Sequence, residues 1–488
     1  MVVMTFRTVA RPAATLLFLS LPVQAQLVDR AAPSMTARQA DSLRLSLEEA
    51  VEIGLRVGDE VRLANAQADI ADAQLDLARS ALLPQLRINS GYTRTFESAR
   101  SNAVSAVFNQ PNTYTVNGVL SQPLFQGGRL WATARAASAL ARSVELDAEE
   151  RRALFSLEIQ RAYLGALLAE RLAQLQETNL LLASSRMEQV QQFHAAGRAA
   201  QYDVLRARVE RANIEPLAIQ ARNDRDLSHL ELKRLLNLPI EQPLALTSTI
   251  DPAAAQALVA SFLDSTAAPQ RAALRSAELF ARSRRLAVTA ARAEFLPSIT
   301  AVFQTGFQAF PPPGASFPMT RGFRNAASCA PGAPAGSLCQ NGGWFEDRSL
   351  GVQFSWPVFD GLRAKSAMEL ARAHTRIAEL ELRQEHERVS VEVARARAEL
   401  RRSRAVFDAR RQNASEANEA FRLASLRFSR GLSTQLEVSD AQVALLTAEG
   451  GEARATFDLY LATAELARAL GRPVPLPSSR TPVRRSDN

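Results

Sequence analysis

The side chains that most often carry chemistry are few in this chain. It has two cysteines, Cys329 and Cys339, and four histidines. The histidines are dispersed, at His194, His229, His374 and His386, and the cysteines lack the CxxC spacing of zinc and redox sites. The sequence contains no P-loop, no GxSxG or HExxH motif and no dinucleotide fingerprint. It therefore indicates no catalytic residues, no metal site and no cofactor, and we predict that the protein is not an enzyme.

Secretion offers a better explanation of the two cysteines. Residues 1–25 contain Arg7 and Arg11, a short apolar run and then Val23-Gln24-Ala25, which is the pattern of a cleaved secretory signal. Cys329 and Cys339 lie in a stretch that is rich in Pro, Gly and Ser, residues 311–343. Because a close pair of cysteines in a secreted chain favours a disulfide, we predict one between Cys329 and Cys339.

The positive charge of the chain does not indicate a nucleic-acid-binding protein. The formal net charge is +8. Most arginines alternate with Glu and Asp along predicted helices, which is typical of solvated helix faces. Because the basic residues do not cluster with aromatic side chains, we expect no nucleic acid among the partners.

The chain is organised as an internal repeat. SQPLFQGGRLWAT at 121–133 resembles SWPVFDGLRAKSA at 355–367, so that Pro357 corresponds to Pro123 at a separation of 234. Gly197 and Gly431 have the same separation. Upstream, Pro84 in SALLPQLRINSGY resembles Pro297 in AEFLPSITAVFQT, at a separation of 213. The second copy therefore has a longer loop between its two repeated prolines, and a repeat of this kind determines the fold class.

This repeat predicts five segments. They are a signal peptide at 1–25, a first unit at 42–245, a linker or equatorial segment at 246–268, a second unit at 269–475 and a basic disordered tail at 476–488.

Each unit combines strands with long helices. Residues 46–82 have apolar residues at helical spacing, which predicts one helix, and Ser46 with Glu49 predicts a capping box at its start. Apolar and polar residues alternate in 85–96, in 113–124, after Pro297 and in 349–358, which predicts four strands. Each strand has about the length that crosses a bilayer when tilted. Four strands cannot close a barrel, so we expect strands from several chains to combine.

The helices that follow the strands are unusually long. Residues 129–195 lack proline, and leucines from Leu157 to Leu182 recur at coiled-coil spacings. Gly197 interrupts the pattern, and a second helix is predicted at 201–237. We interpret Pro123 and Pro357 as the ends of strands, and the glycines after them as the turn from strand to helix.

These motifs together resemble those of one known family. They are LSLEEAVEIGL (45–55), ALLPQL (81–86), QPLFQGGR (122–129), AAGRAAQYDVLRAR (195–208), FLPSI (295–299), WPVFDGLR (356–363), RGLSTQLEVSDAQ (430–442) and ALGRP (469–473). In this order, and within an internal duplication, they resemble the outer membrane efflux proteins, the TolC-like exit ducts of Gram-negative bacteria. The resemblance covers essentially the whole mature chain.

The resemblance implies a mainly α-helical fold with a membrane β-barrel part. Four strands and long coiled-coil helices from each chain of a homotrimer would form one 12-stranded barrel in the outer-membrane lipid and an α-helical tunnel in the periplasm. The family has no catalytic activity. Its members conduct passively when a periplasmic adaptor (membrane fusion) protein and an inner-membrane pump dock on the tunnel.

The resemblance also implies roles for individual residues. The acids that narrow the family's tunnel at its periplasmic end match Glu437 and Asp440, whose spacing of three places both on one helix face. Glu437 could instead serve only the helix dipole. An acid that holds the family's tunnel shut matches Asp203, but its aromatic partner matches Phe428, which has no hydroxyl, and its arginine partner matches Ser433.

The adaptor-contact tips of the family match two turns between long helices. These are Gly197, Arg198 and Ala199 in the first unit, and Gly431, Leu432 and Ser433 in the second. The sequence leaves open two other functions, the exit duct of a type I protein secretion system and a periplasmic coiled-coil scaffold that does not enter a membrane.

Overall fold

The computed structural model describes residues 43–97, 112–249, 251–263, 271–309, 344–430 and 432–473. In these ranges the helices are α1 Leu47–Val57, α2 Asp59–Ser80, α3 Arg129–Ala195, α4 Gln201–Leu235, α5 Pro252–Leu263, α6 Ala272–Arg292, α7 Arg363–Ser429 and α8 Gln435–Ala469. The strands are β1 Leu43–Leu45, β2 Gln85–Arg94, β3 Asn112–Gln126, β4 Leu244–Leu246, β5 Ser298–Ala309 and β6 Trp344–Ser355. The predicted signal, the basic tail and the predicted Cys329–Cys339 disulfide lie outside the described residues.

The predicted fold class, a mainly helical chain with a duplicated arrangement of strands and long helices, is confirmed. Helices α3 and α7 both have 67 residues, and α4 and α8 both have 35. Helices α7 and α8 begin at Arg363 and Gln435, which correspond to Arg129 and Gln201 at the separation that the repeated motifs show. The boundaries of the five predicted segments remain a prediction.

The single helix predicted at 46–82 is wrong, because the chain breaks it at Gly58. The predicted capping box is present: the Ser46 N–H donates to Glu49 Oε2 at 2.8 Å, and the Glu49 N–H donates to Ser46 Oγ at 3.2 Å. Gly58 has an extended conformation between α1 and α2. A Cβ atom there would lie 2.4 Å from Cε1 of Phe155, so only glycine lets the two helices pack this closely on α3.

Strands β2, β3, β5 and β6 form one antiparallel sheet in that order. Leu86, Leu120, Phe303 and Leu350 are register partners across it, and all four side chains are exposed. A row of the opposite face contains Asn89, Asn117, Gly306 and Asp347. The sheet of the described chain thus has one apolar face and one polar face, and neither is covered.

Aromatic residues mark the end of this sheet that is far from the helices. Tyr92 is the register partner of Tyr114, and their ring centroids are 4.7 Å apart. Trp344 lies in the same row, opposite Ala309. Tyr and Trp in one row suit the boundary between hydrocarbon and water, where one end of the side chain is apolar and the other is solvated.

The interpretation of the strand-to-helix joint is correct in part. Pro357 follows the end of β6, as predicted, but β3 continues past Pro123 to Gln126. The register shifts between Pro123 and Phe125, and this irregularity accommodates a residue that has no N–H to donate. Gly127 and Gly128 then adopt positive φ angles, 59° and 79°, which turn the chain into α3.

The core lies midway along the long helices. There α1 and the parallel pair β1–β4 pack on α3, and α5 packs on α8. Tyr163 of α3 is fully buried and donates its hydroxyl to Leu45 O at 2.7 Å, while the Ser248 N–H donates to that hydroxyl at 3.2 Å. One phenol therefore ties β1 and the segment that follows β4 to α3.

Replacing Tyr163 by phenylalanine is expected to lower the free energy of unfolding by about 1–3 kcal/mol, because Leu45 O and the Ser248 N–H lose a buried partner. The measurement is chemical denaturation of detergent-solubilised protein followed by far-UV circular dichroism. Tyr202→Phe is the matched control, since the Tyr202 side chain is 69% exposed. Equal stability of the two variants would contradict the anchoring role.

Candidate functional site at the hairpin tips

The first hairpin turn, between α3 and α4, depends on a glycine. Gly197 has a φ of 73°, in the left-handed region. Its N–H donates to His194 O at 2.9 Å, and the Arg198 N–H donates to Phe193 O at 2.8 Å. This pair of bonds is a Schellman motif, which satisfies the last carbonyls of α3. Gly197 and Arg198 are exposed, and Ala199 is half-buried.

The second turn, between α7 and α8, repeats this geometry where it is described. The Leu432 N–H donates to Arg427 O at 2.9 Å, the counterpart of the Arg198 bond. Leu432 is 66% exposed, and Ser433 is half-buried with its hydroxyl bonded to Thr434 O at 3.2 Å. Gly431, the remaining predicted tip residue, lies outside the described residues.

Glu437 and Asp440 lie in the first turns of α8, and both are exposed. The Glu437 N–H donates to Thr434 Oγ1 at 3.4 Å, so Thr434 rather than a carboxylate caps the helix. Ser439 and Gln442 contact the first hairpin. At about 100° per residue, Glu437 and Asp440 point away from that contact, toward the surface that this chain leaves open.

Asp203 and Phe428, the other two predicted constriction residues, occupy different surroundings. Asp203 is exposed, and its Oδ2 accepts the Ala200 N–H at 3.1 Å, which caps the start of α4. It also lines a cavity of about 320 Å³ with Thr434 and Ser439. Phe428 is half-buried near the end of α7.

Sequence reasoning missed a buried polar network that joins the two hairpins. Arg186 of α3 contacts Glu210 Oε1 of α4 at 3.1 Å, and the Ser439 hydroxyl of α8 donates to the same oxygen at 2.7 Å. Arg186 also donates to Gln442 Oε1 at 2.6 Å, and Gln442 donates to Asn179 Oδ1 at 3.1 Å. We call these five residues the hairpin network.

The hairpin network is sheltered from solvent. Gln442 is 5% exposed, Asn179 is 9% exposed, and the Arg186 side chain is 13% exposed. Each bond therefore acts in a medium of low dielectric, and an unpaired member would be costly. The available signal was that Asn179 and Gln442 interrupt apolar helix faces, as polar residues that fix the register of coiled coils do.

A second buried group of charges lies farther up the helices. Arg271, which precedes α6, donates to Glu150 Oε1 of α3 at 2.7 Å and also bonds Glu392 of α7. Arg468 of α8 contacts the same Glu150 atom at 3.3 Å and bonds Glu392 as well. We call these four residues the equatorial charge cluster. Burial alone would raise the pKa of Glu392, but the hydrogen bonds from Arg271 and Arg468 hold it below its ordinary value.

Neither group resembles a catalytic or metal centre. Among the described residues, His, Cys, Asp and Glu side chains do not gather in threes where they could hold a metal ion. No helix in the described part of the chain is long and apolar enough to cross a membrane.

Comparison with protein families identifies one match. The model of the family described as outer membrane efflux protein matches residues 59–238 and again residues 263–472. A search of curated proteins found no significant match.

Solved structures with the same fold are outer-membrane channels. The Campylobacter jejuni CmeC channel has a TM-score of 0.67 and 16% sequence identity, with 87% of this chain and 85% of that chain covered. The Vibrio cholerae outer membrane protein VceC has a TM-score of 0.66 and 20% identity, over 88% and 97%. The open state of the Neisseria gonorrhoeae MtrE channel has a TM-score of 0.67 and 20% identity, over 88% and 89%.

Proposed function

This chain belongs to the outer membrane efflux protein family, and from that premise we propose that it is the exit duct of a tripartite efflux system. The family places it in the outer membrane, with its helices in the periplasm, and makes it a channel rather than an enzyme. As such a duct it would passively conduct substrates that an inner-membrane pump exports. It would also contact a periplasmic adaptor protein.

The observation that carries this proposal is the uncovered four-stranded sheet on long helical hairpins. Its apolar face suits lipid and its polar face suits a water-filled pore. Strands β2 and β6 are at the two ends of the strand order, and an unpaired edge is too costly in hydrocarbon. We therefore propose a homotrimer in which β6 of one chain pairs with β2 of the next.

The tips would be the docking surface for the adaptor. Arg198 and Leu432 are exposed on turns whose backbone bonds are already satisfied, so their side chains are available to a partner. Glu437 and Asp440 would form a ring of carboxylates at the periplasmic opening, where three chains bring their exposed α8 faces together.

The test of the proposal uses the full chain expressed in a Gram-negative host. We expect it in the outer-membrane fraction, with a detergent-solubilised mass of three chains, about 150 kDa after signal removal, and stepwise conductance in planar bilayers. A protein found only in the soluble periplasmic fraction would support the scaffold function instead and overturn the duct.

We also propose that the hairpin network keeps the periplasmic end narrow. Arg186→Leu combined with Gln442→Leu would remove the Arg186–Gln442 and Gln442–Asn179 bonds while keeping apolar volume, so that of the network only the Ser439–Glu210 bond would still join the two hairpins. The expected result is a larger mean single-channel conductance with unchanged trimer mass, because the tips would separate more easily. Arg222→Leu is the control, since Arg222 pairs with Glu177 within the first hairpin at an exposed site. Equal conductance of the two variants would show that the network does not restrain the tips.

A further inference from the structure

The two units of this chain follow one another in the row of helices nearest the four-stranded sheet. Helix α2 contacts α3, α3 contacts α6, and α6 contacts α7. By their positions in the repeat, α6 is the counterpart of α2 and α7 is the counterpart of α3. The α3–α6 contact is therefore the place where the first unit meets the second unit within one chain.

In a closed ring of three chains, the second unit of each chain must meet the first unit of the next. Because the two units are alike, that junction should repeat the α3–α6 contact with quasi-equivalent residues. Its members would be α7 of one chain and α2 of its neighbour. This step rests on the trimer of the proposed function.

The contact inside the chain is made by small side chains. The Ser143 hydroxyl donates to Ser276 O at 3.0 Å, and the two hydroxyl oxygens are 2.9 Å apart. Farther along α6, the Ser283 hydroxyl donates to Ala136 O at 2.8 Å. Ser143, Ser276 and Ser283 are all buried.

The quasi-equivalent positions carry large apolar side chains that the described part of the chain leaves more than half exposed. At the offset of 234, Ser143 corresponds to Ile377 and Ala136 to Leu370. At the offset of 213, Ser276 corresponds to Leu63 and Ser283 to Ile70. Exposure is 52% for Ile377, 61% for Leu370, 62% for Leu63 and 58% for Ile70. Four positions that are small and mostly buried in one contact are thus large and exposed in the other.

We infer that Leu63 and Ile70 of α2 pack against Ile377 and Leu370 of α7 in the neighbouring chain, and that this apolar contact joins the chains of the trimer above the equator. The difference in side-chain size has a physical reason. The α3–α6 contact is held by a continuous chain, whereas a contact between chains depends on the apolar area that it buries.

A contact lower on the helices obeys the same correspondence. Arg161 of α3 pairs with Glu465 of α8 at 2.6 Å. Their counterparts are Arg395 of α7 and Glu231 of α4, again one arginine and one glutamate. Helices α7 and α4 lie at opposite ends of the helix order α4–α3–α8–α7. The correspondence between the two units therefore again pairs residues of neighbouring chains, and the paired residues again have opposite charges.

Disulfide cross-linking tests the apolar contact. In a Cys329→Ser, Cys339→Ser background, Leu63→Cys with Ile377→Cys should, on mild oxidation, shift the chain from the single-chain band to dimers and trimers on a non-reducing gel. The matched control is Ser143→Cys with Ser276→Cys, whose hydroxyls are 2.9 Å apart within one chain. That pair should close a disulfide and stay at the single-chain position.

The cross-linking gel and the native mass distinguish a failure of the inter-chain contact from a failure of the proposed duct function. If the native mass is three chains and the control pair closes, but Leu63→Cys with Ile377→Cys stays at one chain, the contact is wrong and the trimer stands. If the unsubstituted protein has the mass of one chain, the proposed function fails as well. Should the first pair prevent assembly, Ile70→Cys with Leu370→Cys decides by the same gel, and a single-chain band in an intact trimer overturns the inference.

Discussion

Replacing Arg271 by methionine is expected to lower the free energy of unfolding by up to about 3–5 kcal/mol, the cost of breaking a buried ion pair, because two carboxylates would then share one arginine. The Arg271 side chain is 5% exposed and bonds both Glu150 and Glu392. Without it, one arginine, Arg468, would face two carboxylates, of which Glu150 is 13% exposed and Glu392 is 30% exposed. Chemical denaturation of the detergent-solubilised protein, followed by far-UV circular dichroism, measures the loss.

The matched control is an arginine in a similar but solvated pair. Arg285 pairs with Glu379 at 2.8 Å, with side chains that are 59% and 40% exposed. Arg285→Met should therefore cost only about 0–1 kcal/mol. A loss below about 1 kcal/mol for Arg271→Met as well would show that the equatorial charge cluster does not hold the helices together.

The stability that the equatorial charge cluster contributes depends on pH. The pKa of Glu392 is below its ordinary value in the folded chain, so the carboxylate contributes stability above the unfolded pKa of about 4.3. That contribution is lost as the pH falls through the lower, folded pKa. The stability difference between the wild type and Arg271→Met should therefore be full near neutral pH and shrink below about pH 4.

The lengths of the long helices could be predicted from the sequence alone. Helix α3 was expected at 129–195 and is found at Arg129–Ala195. Gly128 and Gly197 bound it, both with positive φ, and the helix contains no proline. Helix boundaries of this kind depend on local chemistry, which sequence reasoning reads well.

The sequence predicts less well which of the coiled-coil leucines of α3 are buried. Leu157, Leu164 and Leu175 are buried as expected, but Leu182 is 41% exposed. Nearby, Asn179 occupies the buried position because Gln442 of the other hairpin satisfies its amide. A periodicity count treats asparagine as a surface residue, so it cannot find a polar pair that is complete only across two helices.

The equatorial charge cluster was beyond sequence reasoning for a related reason. Arg271 corresponds to Gly58 at the offset of 213, so the two units have different residues at this position. Arg468 and Glu392 correspond to Arg234 and Glu158, which are 3.9 Å apart and solvated in the first unit. The repeat predicted the kinds of residue, but burial depends on Arg271 meeting α3 and α7 at once.

Neutralising Glu437 and Asp440, the exposed acids of α8, is expected to lower the preference of the duct for cations. Glu437→Gln with Asp440→Asn would remove six carboxylates from a trimer. Charges repeated around a narrow opening raise the local concentration of cations, so the cation preference should fall by on the order of tenfold. Reversal potentials under a salt gradient in planar bilayers measure the change, and block by divalent or trivalent cations should weaken with it.

Salt concentration and control variants identify the cause. The difference from wild type should shrink as the salt concentration rises, because the screening length falls from about 10 Å at 0.1 M to about 3 Å at 1 M. Asp69→Asn with Asp72→Asn removes an exposed acid pair of the same spacing from α2 and should leave selectivity unchanged. Asp203→Asn should instead raise the conductance with little change in selectivity, since Asp203 caps α4 beside the contact between the hairpins. If the Glu437→Gln, Asp440→Asn variant keeps full selectivity and cation block, other residues line the narrowest point of the duct.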